Sequence, residues 1–240
     1  MKAPKEYLER EVYCYWRYAT SSNLCKNVNT RFNANEQTNF AVWPDKTVLW
    51  EEKGRRNILP TLYIFKNNEE LLATYHQLQK YELIAIRGRV LNVYAGLPWI
   101  LVTGIEQIEL PVDRLCEQVI EHMQNGHNAL QANSGGVAAR HYEQALQLGL
   151  PPEYRAKAYD QIAQAYLLDN RLDQALTYLR MAVEANYNDP ILNLALADTA
   201  LRMDDPEEAM AHCKFAIEKS GSHPQGYGIL GEARSLTGDI

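Results

Sequence analysis

Apolar and polar positions follow two different periods along this chain. Residues 12–18, Val-Tyr-Cys-Tyr-Trp-Arg-Tyr, are aromatic and β-prone and predict a strand. Residues 20–39 are rich in Asn, Ser and Thr, which suit turns better than a core. Phe40 to Trp43 predicts a short strand ended by Pro44-Asp45, and Thr47–Trp50 continues it as a hairpin or a bent strand. Glu51–Asn57 is a charged connection containing Gly54, and Ile58–Phe65 is a strand whose Pro60 places it near an edge or at its beginning. Asn67-Asn68-Glu69-Glu70 then reads as a helix start, with an Asn cap and acids facing the positive end of the dipole. Leu71, Leu72, Tyr75 and Leu78 form one apolar face of that helix, which ends near Lys80. Leu83–Tyr94 predicts a long strand, with Ile84, Ile86 and Val90 on one side and Arg87 and Arg89 on the other. Gly88 between the arginines predicts a bulge or a close backbone approach. Ala95–Pro98 is a turn, and Trp99–Gln107 is a nearly continuous apolar strand, which predicts cover on both faces.

Three strand regions, one helix and two strands is the order of the OB-fold, and residues 10–108 resemble OB-fold proteins in it. The run Tyr81-Glu82-Leu83-Ile84-Ala85-Ile86-Arg87-Gly88-Arg89-Val90 also resembles the helix-then-strand segment of several bacterial OB-like domains. The resemblance implies a five-stranded Greek-key barrel with its helix between the third and fourth strands. The competing reading is another small β-barrel with one helix.

From residue 111 the chain becomes rich in Ala, Leu, Gln and Glu. Ala163 and Ala197, Ala175 and Ala209, and Ala182 and Ala216 each lie 34 residues apart. In residues 156–189, Tyr159, Ile162, Ala163 and Tyr166 suit a first helix, Ala175, Leu179 and Ala182 a second, and Asn170 the turn between them. Residues 190–223 repeat the register with Leu196, Ala197, Ala200, Ala209, Cys213 and Ala216, and Pro206 suits a helix start. This pattern resembles the tetratricopeptide repeat family. A third unit begins at Pro224, with Tyr227, Leu230 and Gly231 in register. A degenerate first unit spans about 113–150, carrying Gly126, Ala138, Tyr142 and Ala145, its helices joined by Asn133-Ser134-Gly135-Gly136. Small residues let helices approach and large ones fill the gaps, so each unit needs neighbours and a solenoid follows. The fold class is therefore α+β in two domains: an OB-like five-stranded barrel with one helix over 1–110, and all-α tetratricopeptide-type repeats over 111–240, about three units plus a terminal helix. The short Leu110-Pro111-Val112-Asp113 linker, with a Pro and no Gly, predicts a fixed angle between them.

Charge divides the chain along the same line. The formal net charge is -6; residues 1–110 carry 14 basic and 12 acidic side chains, whereas residues 111–240 carry 10 and 18. No stretch approaches the roughly 20 apolar residues of a membrane helix. The polar first ten residues lack the apolar core of a secretory signal, which predicts a cytoplasmic protein, or an exported one whose signal has been removed. Cys14, Cys25, Cys116 and Cys213 show no zinc-ligand spacing and read as unpaired small hydrophobes; a Cys14–Cys25 disulfide is the alternative, and it would require export.

No nucleotide-binding, metalloprotease or nucleophile-elbow motif occurs, so no catalytic residues, metal site or cofactor are expected. The six histidines read as surface or packing residues. Asp204-Asp205-Pro206-Glu207-Glu208 reads as an inter-helix turn with acids at a helix start rather than a cation site. The repeat resemblance implies a concave groove lined by first helices. Its candidates here are Lys157, Asp160, Gln164 and Leu167, then Ile191, Leu194, Asp198 and Leu201. The family's carboxylate-clamp places hold His127, Asp160, Gln161, Gln164 and Ala195, so that clamp is missing and the groove is mixed apolar and acidic. The other reading is that these residues only solvate a stack that supports assembly. The barrel offers Arg55, Arg56, Arg87 and Arg89 with Trp43, Trp50 and Tyr94 as surface candidates, the combination by which OB-folds hold single strands. The domain's net charge of only +2 is far from the usual basic footprint. The expected function is a non-enzymatic scaffold binding a peptide or partner domain in the groove, with self-association open. The alternative is a single-stranded nucleic-acid binder with a repeat-mediated assembly domain.

Overall fold

The structure, a computed structural model, describes residues 4–22, 32–44, 47–108, 115–220 and 223–238. The chain forms two compact units, Met1–Ile120 and Glu121–Ile240. The alternative Cys14–Cys25 disulfide and the 110–113 linker involve residues outside the described ones.

After a 3-10 turn, Pro4–Tyr7, the first unit contains β1 (Glu11–Ser22), β2 (Gln37–Pro44), α1 (Glu52–Arg56), β3 (Leu59–Phe65), α2 (Glu69–Gln77), β4 (Leu83–Tyr94) and β5 (Leu97–Gln107). The strands close into a five-stranded barrel in the order β1-β2-β3-β5-β4. All neighbouring pairs are antiparallel except β3 and β5, where Leu62 faces Ile100 and Tyr63 faces Leu101 in parallel. The helix does lie between the third and fourth strands. Asn68 caps it by accepting a hydrogen bond from Leu71 N at 3.1 Å, and Leu71, Tyr75 and Leu78 join Val12, Phe40, Leu62, Ile64, Ile84, Ile86, Ile100 and Val102 in one core. Each such large side chain withdrawn from water contributes about 1.5–3 kcal/mol before conformational entropy is charged against it.

Four local expectations change. β1 and β2 reach into the polar 20–39 segment, because Thr20, Ser21 and Ser22 pair with Ala41, Phe40 and Asn39 and satisfy their backbone groups whatever the side chain. Thr47–Trp50 is a turn: Thr47 donates from its N and Oγ1 to Pro44 O, and Glu51 N donates to Val48 O. Glu51–Asn57 contains the short helix α1. β5 is buried on both faces only around Trp99 and Ile100; Thr103 and Glu106 are exposed.

Gly88 meets both of its expectations. The β4–β5 register shifts between Arg87 and Gly88, and a Cβ at Gly88 would stand 2.6 Å from Leu101 O and 2.7 Å from Ile100 Cγ2.

The helices are α3 (Glu117–Gln131), α4 (Gly135–Gln147), α5 (Pro152–Leu168), α6 (Leu172–Ala185), α7 (Pro190–Arg202), α8 (Pro206–Ser220) and α9 (Pro224–Thr237). From α4 onward each packs on the next, and α7 also packs on α9, as in a stack of helix pairs. Ala163, Ala197, Ala175, Ala209, Ala182 and Ala216, the residues that set the 34-residue period, are all completely buried. One unit earlier the separation is 37 residues: Gly126 to Ala163, Ala138 to Ala175, Tyr142 to Leu179 and Ala145 to Ala182. A Cβ at Gly126 would stand 2.8–3.0 Å from the Tyr142 ring, so α3 and α4 touch there. Gly135 and Gly136 lie inside α4 and not in the connection. A Cβ on Gly135 would stand 2.3 Å from Ala165 O and 2.5 Å from Asp169 Oδ1.

The turns inside the pairs also repeat. Asn133, Asn170 and Asp204 have φ of 53°, 54° and 61°. The following amides, Ser134, Arg171 and Asp205, donate to the carbonyls of Ala129, Tyr166 and Ala200 at 2.9, 2.9 and 3.0 Å. That is a Schellman closure, which uses Asn or Asp for the left-handed residue. Asp205 Oδ1 also accepts from Glu208 N at 3.0 Å, in accord with the reading of 204–208 as a turn.

Because Trp16, Trp43, Trp50 and Trp99 all lie in the first unit, tryptophan emission reports its unfolding alone. Gly88→Ala is expected to lower the urea midpoint of that signal by the equivalent of about 1–3 kcal/mol, the usual cost of overpacking. The far-ultraviolet helical signal should hold its midpoint.

Candidate functional site

On α5, Lys157, Asp160 and Gln164 form one row. Lys157 Nζ lies 3.9 Å from Asp160 Oδ2, and Gln164 Nε2 donates to the same oxygen at 2.9 Å. Burial raises the Asp160 pKa above the usual carboxylate range; the Gln164 hydrogen bond and the Lys157 charge pull it down, and the Asp189 charge adds to the rise. Asp189 itself caps α7, its Oδ1 accepting from Ile191 N at 2.9 Å. Ile191 on α7 is 72% exposed, while Leu167, Asp198 and Leu201 are half-buried. The Asp198 charge reaches Cys213, whose thiol is pushed up to about 11, mainly by burial. Leu194 departs from expectation. It is 3% exposed and belongs to the repeat core, its Cδ2 only 3.1 Å from where a Cβ of Gly226 would sit. It can support the surface but not touch a ligand, because α9 covers it.

The barrel candidates separate in the same way. Trp43 and Trp50 are 7% and 1% exposed, so neither offers a ring to solvent. Trp43 stacks on Tyr81 with ring centroids 5.5 Å apart, and its Nε1 donates to Arg55 O at 3.1 Å. Arg55 Nη1 donates to Trp50 O at 3.0 Å, and Arg56 is ion-paired with Glu52 one turn away. Trp43 and Trp50 are therefore both buried and both tied to α1 through Arg55. Arg87 and Arg89 do face outward, and Tyr94 is exposed.

Two exposed aromatics escaped the sequence reading. Tyr13 and Tyr15 on β1 are 52% and 49% exposed and meet edge to face at 5.4 Å. Tyr13 is the register partner of Arg87, as Glu11 is of Arg89. Strand alternation carried the signal, since Val12, Cys14 and Trp16 between and beside them turn to the core.

A cleft of about 540 Å³ in the first unit is lined in part by Arg17, Gln77, Gln79, Lys80, Glu82 and Gln107. Several of its polar groups are held by bonds to the cleft's own residues. Arg17 Nη1 donates to Tyr81 O at 3.2 Å, and Glu82 accepts from Gln79 N at 2.9 Å and Gln107 Nε2 at 3.0 Å. Among the described residues no cluster of three or more His, Cys, Asp or Glu could hold a metal ion, and no helix is long and apolar enough to cross a membrane.

The chain matches no protein-family model. No curated protein is significantly similar to it in sequence. Solved tetratricopeptide structures are similar to it. YrrB, a tetratricopeptide protein with an unusual peptide-binding site, is 17% identical, with 50% of this chain and 61% of that chain covered and a TM-score of 0.47. The first tetratricopeptide domain of Spaghetti (RPAP3), bound to an HSP90 peptide, is 14% identical over 54% of this chain and 99% of that one, at a TM-score of 0.48. The Cut9–Hcn1 structure from the APC/C is 20% identical over 48% of this chain, at a TM-score of 0.45; the match spans 23% of that chain's length. The closed strand order and the helix pairs stacked at a 34-residue period define the architecture by themselves: an OB-like five-stranded barrel followed by tetratricopeptide-like helical repeats.

Asp160 carries a testable energetic signature. Its folded pKa is raised above the unfolded value, so its contribution to stability is present below the ordinary carboxylate range and is lost as pH rises through the folded value. At neutral pH the ionised form opposes folding. Asp160→Asn is expected to raise the thermal midpoint of the helical signal near pH 7, with the gain shrinking toward zero near pH 3, as followed by circular dichroism.

Proposed function

We propose that the protein is a non-enzymatic interaction protein whose first-helix face on α5 and α7 receives a peptide segment or a partner domain. The observation that carries this reading is the ionisable carboxylate of Asp160, held half-buried between Lys157 and Gln164 while the strongly exposed Ile191 stands on the next first helix. An apolar contact with acids nearby suits a partner segment that alternates apolar and basic side chains, with burial supplying affinity and the charges setting register. Asp160→Lys/Asp198→Lys is expected to weaken binding of such peptides, selected from an array and measured by fluorescence polarisation, by at least about tenfold, near 1.4 kcal/mol. Unchanged affinity would sink the assignment of this face.

One observation favours a second reading. Tyr13 and Tyr15 lie beside Arg87 on an open barrel surface, and aromatic rings with arginines are how single strands are held. Against it, residues 111–240 carry 18 acidic side chains to 10 basic, which repels phosphates. Fluorescence anisotropy with single-stranded oligonucleotides is expected to show no salt-sensitive binding at about micromolar protein. Salt-sensitive binding abolished by Tyr13→Ala/Arg87→Ala would establish the second reading instead.

A further inference from the structure

His122 on α3 and His141 on α4 are nineteen residues apart in sequence, yet their Nδ1 atoms stand 3.2 Å apart, with ring centroids at 5.4 Å. A 3.2 Å contact between two imidazole nitrogens is compatible with one proton between them. One ring must then donate while the other presents its lone pair. Two protons facing each other would put N–H against N–H and charge against charge. The contact therefore excludes protons on both Nδ1 atoms at once. Burial, the His122 charge and the Arg140 charge all lower the proton affinity of His141, and only Glu121 raises it.

We propose that His122 and His141 chelate one late-transition divalent cation, Zn²⁺ or Cu²⁺, through their two Nδ1 atoms. The geometry of the bite carries the inference. With metal–nitrogen bonds of about 2.0–2.1 Å, a nitrogen separation of this size subtends roughly 100° at the ion, close to tetrahedral. For the metal to bind, the donor ring passes its Nδ1 proton by way of solvent to its own Nε2, and both rings turn so that their Nδ1 lone pairs point to one spot. Both rings are only partly buried, so water can complete the coordination, and Glu121, next to His122 in sequence, supplies a compensating negative charge. Neutral imidazole suits Zn²⁺ and Cu²⁺, with Cu²⁺ the tighter of the two. Two protein ligands make this an exchangeable site and not a structural cage. The consequence is a clip across the α3–α4 pair, next to the close contact of Gly126 with Tyr142, and protons compete with the metal for it.

The full chain, stripped with a chelator, would be titrated with Cu²⁺ and with Zn²⁺ alone. One Cu²⁺ per chain should give a paramagnetic resonance spectrum split by two nitrogens, and Zn²⁺ should raise the thermal midpoint of the helical signal. His122→Gln and His141→Gln should each weaken Zn²⁺ binding at least about tenfold by calorimetry, whereas His127→Gln on the same α3 should leave it unchanged. The resonance spectrum is read on the unaltered chain, so it stands even where a variant folds poorly. No binding at about 100 μM metal, a spectrum without two-nitrogen splitting, or affinity unaltered in both histidine variants would overturn the proposal.

Discussion

Close approach of helix backbones at positions that admit only a methyl group or less governs the second unit. Ala163 and Ala197 on first helices, and Ala175, Ala182, Ala209 and Ala216 on second helices, have no accessible surface at all. Any longer side chain there would push helices apart and empty the neighbouring pockets filled by Ile162, Leu179 and Leu196, because protein interiors leave no slack to absorb added volume. The other features of the stack are compatible with that spacing. The left-handed Asn133, Asn170 and Asp204 reverse the chain in the shortest way, so that paired helices can meet where their small residues face each other.

Polar groups then join one helix pair to the next. Glu143 on α4 accepts hydrogen bonds from Tyr166 OH on α5 at 2.7 Å and from Tyr178 OH on α6 at 2.9 Å. Those two rings stack at 5.7 Å, and Arg171 lies over the Tyr166 ring at 4.6 Å. One carboxylate thus ties three helices, and hydrogen bonds to a charged acceptor are among the stronger ones. The α6–α8 link is a two-pronged contact from Arg180 to Glu208 at 2.8 and 2.6 Å. Between α7 and α8, buried Asn193 meets His212 Nδ1 at 2.8 Å and donates to the carbonyls of Tyr187 and Asp189. These contacts act on relative helix placement, which apolar packing alone specifies loosely.

In the barrel the corresponding constraint is closure. A five-stranded sheet has no free edge only if β4 returns to β1, and Gly88 lets it do so by shifting register where β5 crowds it. Closure turns Phe40, Ile84 and Ile100 inward and leaves Tyr13, Tyr15, Arg87 and Arg89 outside. The barrel therefore presents its chemistry on the β1–β4 side. The tryptophans, the most conspicuous residues of its sequence, are withdrawn from solvent at Trp43, Trp50 and Trp99, while Trp16 packs against the barrel core.

Order and period were legible in the residues themselves. The 34-residue alanine spacing, Asn170 and Asp204 in the turns, the Asn68 cap and the alternation around Gly88 are signals spread over a few neighbouring residues. Backbone propensity and side-chain periodicity act at that range. So the strand-helix-strand order, the position of β4 and the stacked helix pairs followed without coordinates. The candidate groove was legible only in part: periodicity placed Leu194 on the α7 face but could not know that Gly226 of α9 lies against it. The same limit hid the burial of Trp43 under Tyr81 and the meeting of Glu143 with Tyr178 and of His122 with His141. Each joins residues whose separation matches no helical or strand period, and whether they touch depends on how whole elements dock. Local sequence determined which elements form and which faces are apolar; the tertiary structure decided which polar groups meet, because that meeting depends on packing across elements distant in the chain.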